Sequence, residues 1–161
     1  MRKVLLTAGL LVAGVVALVK WTGHGGGDGA RDDDPTLVVD RIWVDRVPSK
    51  PEETMNLFAA LTQQPVGIFQ FASQWKGGYE IFQYKAAGKE LRIVFPQTGE
   101  KEKVKARAWT CKQRDMDYCL ELTGASRGVK RYYSQRGWEI DGATRPEQIL
   151  ERTTALARAT K

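Results

Sequence analysis

Histidine is almost missing from this chain. His24 is the only one among 161 residues, and it lies in a Gly-rich stretch. A Ser/His or Cys/His nucleophilic arrangement needs an imidazole as base, and histidine-ligated haem or zinc needs one as ligand, so the folded part of the chain supports neither. No glycine-rich loop follows a strand and opens a helix, which removes the phosphate-cradling motifs. Cysteine is limited to Cys111 and Cys119, and their spacing is not that of a Cys-x-x-Cys redox pair. No cysteine follows the N-terminal apolar run, which excludes lipoprotein processing. A dominant charge is lacking too. Of 25 basic residues, Arg2, Lys3 and Lys20 belong to an acid-free N-terminal segment, leaving 22 against 19 acids, a net of +3. That is an ordinary surface and does not support nucleic-acid binding. The expectation is a protein without catalysis, cofactor or metal.

The long apolar stretch that is present runs from Val4 to Val19, broken only by Thr7 and glycines and preceded by Arg2 and Lys3. Residues 1–21 therefore read as an export signal or a membrane anchor. The run is short for a spanning helix, which needs about 20 residues, although Trp21 extends it if Lys20 snorkels. The small residues that a cleavage site needs, Val15-Val16-Ala17, lie inside the run. An anchor through residues 4–19 is preferred to a cleaved signal, and either places the bulk of the chain outside the cytoplasm, in the cell envelope. Residues 22–36, with Gly25-Gly26-Gly27, Gly29 and Asp32-Asp33-Asp34, read as a flexible linker, the aspartates as a solvated run rather than a calcium site. Residues 37–161 form the folded domain.

Within that domain, Gly67 to Leu122 reads as a ladder of antiparallel strands. Centring a hairpin on Gly77-Gly78 pairs Phe71 with Tyr84 and Trp75 with Glu80. Side chains alternate along a strand, so Phe69, Phe71, Trp75, Phe82 and Tyr84 share a face. A turn at Ala87-Gly88 sets Tyr84 against Leu91, and one at Thr98-Gly99 sets Ile93 against Val104 and Leu91 against Ala106. A turn centred on Asp115 places Cys111 opposite Cys119 and Ala108 opposite Leu122. Val104, Ala106, Ala108, Leu120 and Leu122 continue the apolar face, while Lys103, Lys105, Arg107 and Glu121 point the other way. In an exported domain the facing cysteines read as a disulfide.

Leu37 to Val47, carrying Trp43, reads as the first strand. Thr54 to Thr62 fits a helix behind the capping pattern Ser49-x-x-Glu52, or a strand through Met55, Leu57, Ala59 and Leu61. Strand is preferred because its neighbours are strands and the connections are short. Val129 to Ile140 reads as the last strand, bent near Arg136-Gly137. Thr144-x-x-Glu147 opens a C-terminal helix with Ile149, Leu150, Thr153, Leu156 and Ala157 on one face. The fold class expected is mainly β: an antiparallel meander of about eight strands closing into a small barrel, with an N-terminal apolar helix and a C-terminal α-helix. A sandwich with the same meander is the alternative.

The predicted inner face mixes large rings with small residues. It either leaves a cavity for a small apolar or amphipathic ligand, lined by Phe69, Phe71, Glu80, Phe82, Tyr84, Ala106 and Ala108, or interdigitates into a solid core. Glu80 stands on that face either as a functional acid or at the rim in solvent. Tyr132, Tyr133 and Trp138, among Arg127, Lys130, Arg131 and Arg136, form a candidate partner patch. In the first reading the protein binds a ligand in its barrel. In the second, a filled barrel serves as a structural or protein-interaction module of the envelope.

The architecture is similar to that of the lipocalins and the wider calycin group of up-and-down barrels. Trp43 stands in the first strand where lipocalins carry Gly-x-Trp, with Arg41 in place of the glycine. Asp117-Tyr118 heads the seventh strand where they carry Thr-Asp-Tyr, with Met116 in place of the threonine. The resemblance implies a barrel-closing contact between Trp43 and an arginine of the last strand, Arg131.

Overall fold

The computed structural model describes residues 33–141, 144–145, 147–149, 151–152 and 155. Eight antiparallel strands close into a barrel in sequence order: β1 (Trp43–Val44), β2 (Met55–Leu61), β3 (Val66–Ala72), β4 (Gly77–Ala87), β5 (Glu90–Val94), β6 (Lys101–Gln113), β7 (Met116–Thr123) and β8 (Arg131–Ser134). Closure rests on β1, two residues long, which pairs Val44 with Leu57 on one side and Tyr133 on the other. The segment expected as helix or strand is thus a strand, over Met55–Leu61. Ser49 closes its own turn instead, its N–H donating to Glu53 at 2.9 Å. The expected N-terminal apolar helix lies outside the described residues, as do Leu150, Thr153, Leu156 and Ala157. Helical turns appear at residues 147–149 and 151–152.

The expected first strand is mostly something else. Pro35–Val38 forms a 3-10 turn capped by Asp34, whose carboxylate accepts from the Thr36 N–H at 2.9 Å. Proline suits the first helical position because its fixed φ matches and its missing N–H is not needed there. Asp40 then takes a positive φ of 52° and redirects the chain into β1. The Trp43 indole donates to the Val38 carbonyl at 3.1 Å, tying the turn to the strand. The domain also begins earlier than expected. Asp33 bonds to Lys89 and Arg107 on the barrel wall, and the Asp34 N–H donates to the Ala108 carbonyl.

Two cores result, one on each side of the barrel wall. The interior holds Trp43, Phe58, Phe69, Phe82, Tyr84, Phe95 and Tyr132 with Val104, Ala106, Ala108, Leu120 and Leu122. The outer cluster holds Val44, Met55, Leu57, Ile68, Trp109 and Tyr133 with Ile140 and Ile149 of the C-terminal segment. That second layer explains why β2 is buried on both faces.

Every predicted hairpin exists, but each register is displaced. Phe71 pairs with Gly78 rather than Tyr84, Tyr84 with Ile93, Leu91 with Val104, and Ala108 with Leu120. The displacements are six residues at β3–β4 and two at each of the others, all even, so the side chains keep their predicted faces. The β3–β4 turn is Ser73–Lys76, where the serine hydroxyl accepts from the N–H groups of Trp75 and Lys76. Gly77 and Gly78 belong to β4. A Cβ on Gly78 would lie 2.6 Å from the Phe71 ring, so the glycine is there to let that ring lie across the strand. Cys119 pairs with Trp109, yet the disulfide to Cys111 forms, because an irregularity between Thr110 and Gln113 lets the hairpin bend.

Candidate functional site

The interior is solid. Phe58, Phe69, Phe82 and Phe95 form a connected ring cluster with centroid separations of 5.1–6.4 Å, extended by Tyr84 and Tyr132. Several pairs join strands that are not neighbours, such as Phe58 of β2 with Phe82 of β4 and with Tyr132 of β8. The rings therefore fill the lumen rather than line it. Gly67 shows how tightly: a Cβ there would meet the Phe82 ring at 2.2 Å. Buried hydroxyls are satisfied. Tyr84 donates to the Leu61 carbonyl at 2.9 Å, and Tyr132 accepts from the Val129 N–H at 2.9 Å. Burial, with a smaller contribution from the Asp40 charge, pushes the Tyr84 phenol up to about 12.

One end of the barrel is stoppered by Arg127, from the β7–β8 loop. Its guanidinium lies 4.1 Å from the Phe95 ring centroid. It ion-pairs with Glu80 at 2.9 Å, with Glu102 at 2.9 Å and with Glu100. The guanidinium is thus held at its face by the ring and along its edge by three carboxylates. The Glu100 carboxyl is lowered by this contact, and the Arg127 guanidinium is raised by Glu100 first and Glu80 second. Gly128, with φ of 69°, follows; its missing Cβ makes room for the Tyr132 hydroxyl.

Beside the stopper lies a cleft of about 240 Å³, lined by Asn56, Phe69, Phe71, Gly78, Tyr79, Glu80, Arg127 and Gly128 among others. Its outer lip is the β3–β4 hairpin. Phe71, Trp75 and Tyr79 are 48, 71 and 57% exposed there, whereas the interior rings are nearly all inaccessible. The cleft thus offers an apolar wall and, opposite it, an ion pair of both signs.

The residues predicted to line a ligand cavity divide accordingly. Phe82, Tyr84, Ala106 and Ala108 are buried in the solid core. Phe69 is core with one edge on the cleft, and Phe71 and Glu80 stand at the rim. The predicted partner patch does not exist as a surface. Adjacent residues of a strand face opposite ways, so Tyr132 is inside the barrel while Tyr133 packs in the outer cluster under the Arg114 guanidinium, 5.1 Å away, and Trp138 is half-buried. Arg131 is likewise displaced from Trp43. It is exposed, and among the described residues its ion pair is with Glu121, at 3.9 Å. The arginine that ties the approach to β1 to the far end of the chain is Arg41, which stacks on Tyr118 of β7 at 4.1 Å, donates to the Gln135 carbonyl just past β8 at 2.9 Å and pairs with Glu139. Arg127 entered the sequence reading only as one of the basic residues around the last strand, and Trp75 only as a member of the apolar face. The signal for Trp75 was its place near a hairpin tip, and the stopper role of Arg127 had none, because its partners lie 25 to 47 residues away.

The fold defines the class: an eight-stranded, closed, antiparallel barrel, consistent with a lipocalin-like architecture. No protein-family model, no curated protein and no solved structure matches the chain. Among the described residues no group of His, Cys, Asp and Glu is placed to hold a metal, and no helix is long and apolar enough to cross a membrane.

Proposed function

We propose that this chain is a non-catalytic binding module of the cell envelope, a filled barrel that displays the β3–β4 hairpin and the adjoining cleft to a protein partner. The observation that carries this reading is the exposure of Phe71, Trp75 and Tyr79 on one hairpin, with Phe71 and Tyr79 sharing a cleft with Arg127, while the other large rings among the described residues are buried or half-buried. Exposed aromatics and arginine are the residue types that dominate binding energy at protein interfaces, and the hairpin offers them on both faces, Phe71 on one and Tyr79, paired with Gln70, on the other. The N-terminal apolar run, the anchor preferred above, would hold the module at a membrane, and the disulfide fits an oxidising compartment.

A photo-crosslinking amino acid at position 75 tests this in exporting cells. A discrete protein adduct at 75, with none at position 89 in the β4–β5 turn, is the expected result. Equal or absent adducts at both would overturn it.

A second reading keeps the small ligand but moves it from the lumen to the cleft, whose apolar wall and Glu80–Arg127 pair suit an amphipathic molecule. Native mass spectrometry separates the two. An extractable adduct of small mass that Phe71→Ala abolishes favours the ligand. A bare chain favours the protein partner.

A further inference from the structure

The outer face of β4, β5 and β6 carries a charge pattern that the barrel itself does not need. Lys85, Arg92 and Lys103 stand directly across from one another on three adjacent strands. Lys101 and Lys105 flank Lys103 on the same face, and all five side chains are exposed. Among the described residues the one acid between them is Glu90, which pairs with Arg92 at 3.1 Å and stands directly across from Lys105. Among the described residues no ion pair reaches Lys85, Lys101, Lys103 or Lys105. Like charges directly opposite on a sheet oppose folding; Glu90 offsets the row at Arg92, and the lysines remain a cost unless something outside the chain neutralises them. The chain's modest net charge conceals it, because the acids lie elsewhere.

The chain also joins the domain on this side. The Asp33 carboxylate is held by Lys89 at 2.7 Å and by Arg107 at 3.0 Å, at the margin of the same basic sheet. Both contacts, Arg107 first, lower its carboxyl below the usual range. Eleven residues, 22–32, separate this fixed point from the N-terminal segment 1–21, a span of at most about 40 Å even if extended.

From this placement we infer that the β4–β6 face is an electrostatic docking surface for an anionic phospholipid bilayer, laid against the leaflet that the apolar run enters. The occupant is a lipid surface because the positive charge is spread over a sheet rather than gathered in a pocket, and because the attachment point of the apolar run borders it. Each basic side chain near an anionic leaflet contributes a factor of roughly five in partitioning, falling as salt screens it. The hairpin bearing Trp75 then stays free for a partner.

The full chain, reconstituted on neutral phosphatidylcholine vesicles and on vesicles with phosphatidylglycerol added, tests the inference by lysine acetylation rates. Lys85, Lys101, Lys103 and Lys105 should react at least about threefold more slowly on the anionic vesicles. Lys50 and Lys76 should be unchanged, and high salt should restore the rates. Lys85→Gln with Lys103→Gln, both at exposed positions, should remove most of the protection at Lys101 and Lys105. Sedimentation with the neutral vesicles reads the apolar anchor separately. Equal rates on the two vesicle types would overturn the inference. So would protection that survives the double variant, or protection by soluble inorganic polyphosphate without any by vesicles.

Discussion

Gly67→Ala is the sharpest test of whether the lumen is full. The new methyl would stand 2.2 Å from Cζ and 2.5 Å from Cε2 of Phe82, and 2.6 Å from the Ala59 carbonyl oxygen. Phe82 cannot swing away, since Phe58, Phe69, Tyr84 and Phe95 surround it at centroid distances of 5.1–6.2 Å. The carbonyl cannot retreat without opening the β2–β3 ladder, where Ala60 pairs with Gly67. Overpacking a tight core costs about 1–3 kcal/mol, and two immovable neighbours place this case near the top, at about 3 kcal/mol. For a domain of this size that lowers Tm by roughly 10 °C. Urea unfolding followed by intrinsic fluorescence measures it. Phe82→Leu removes the ring atoms that the methyl strikes, so Gly67→Ala should cost less in that background than alone, a coupling read from the double-mutant cycle. A loss below about 0.5 kcal/mol for Gly67→Ala alone would mean that Phe82 has room to move. The solid-barrel reasoning would then fail, and an internal ligand would return as the simpler function.

Three further outcomes follow from the same packing. Ala108→Phe, at a fully buried inward position, should destabilise by about 2–3 kcal/mol or prevent folding, read by chemical denaturation and by the yield of folded protein. Reducing Cys111–Cys119, which are separated by 8 residues, should cost about 2.5 kcal/mol on the chain-entropy model, seen as a lower urea midpoint with far-ultraviolet dichroism of the native state retained. The pH dependence should be two-sided. Glu100 has a folded pKa below its usual 4.5, so its contribution is complete above that value and fades as acid titrates the folded carboxyl, and Arg127→Ala should flatten this acid limb. Tyr84 has a folded pKa raised to about 12, so its contribution is complete below its usual 10 and fades as pH climbs toward 12. Tyrosinate absorbance that rises together with loss of structure in that range is the measurement.

Much of the fold was legible because strand alternation survives errors of register. A turn misplaced by a whole residue moves the pairing by two, and two residues restore the face. Phe69, Phe82, Val104, Ala106 and Ala108 therefore point inward as read, although their predicted cross-strand partners were wrong. The paired glycines misled because glycine serves two ends. At Gly78 it admits a neighbouring ring, while the turn is made by the hydroxyl of Ser73, four residues before Gly77. Arg114 and Asp115 make the β6–β7 turn without glycine, at φ of 55° and 59°.

The site was less legible than the fold. Alternation says which side of the wall a residue occupies, but not how far along the barrel it sits or what stands across the lumen. Phe71 shares its face with Phe82, and only the true register puts one at the rim and the other at the centre. Arg127 stoppers the barrel through contacts to three loops and strands distant in sequence, a relation no local pattern carries. Tyr133 and Trp109 lie on a face that a barrel alone would expose, and the C-terminal segment decided otherwise by packing Ile149 there. The sequence by itself determined the strand count, the two faces and the cysteine pair, because these follow from period and local turns. The filled lumen, the Arg127 stopper and the basic row of Lys85, Arg92 and Lys103 were decided by tertiary structure, since each depends on the registers that bring separate strands to one level.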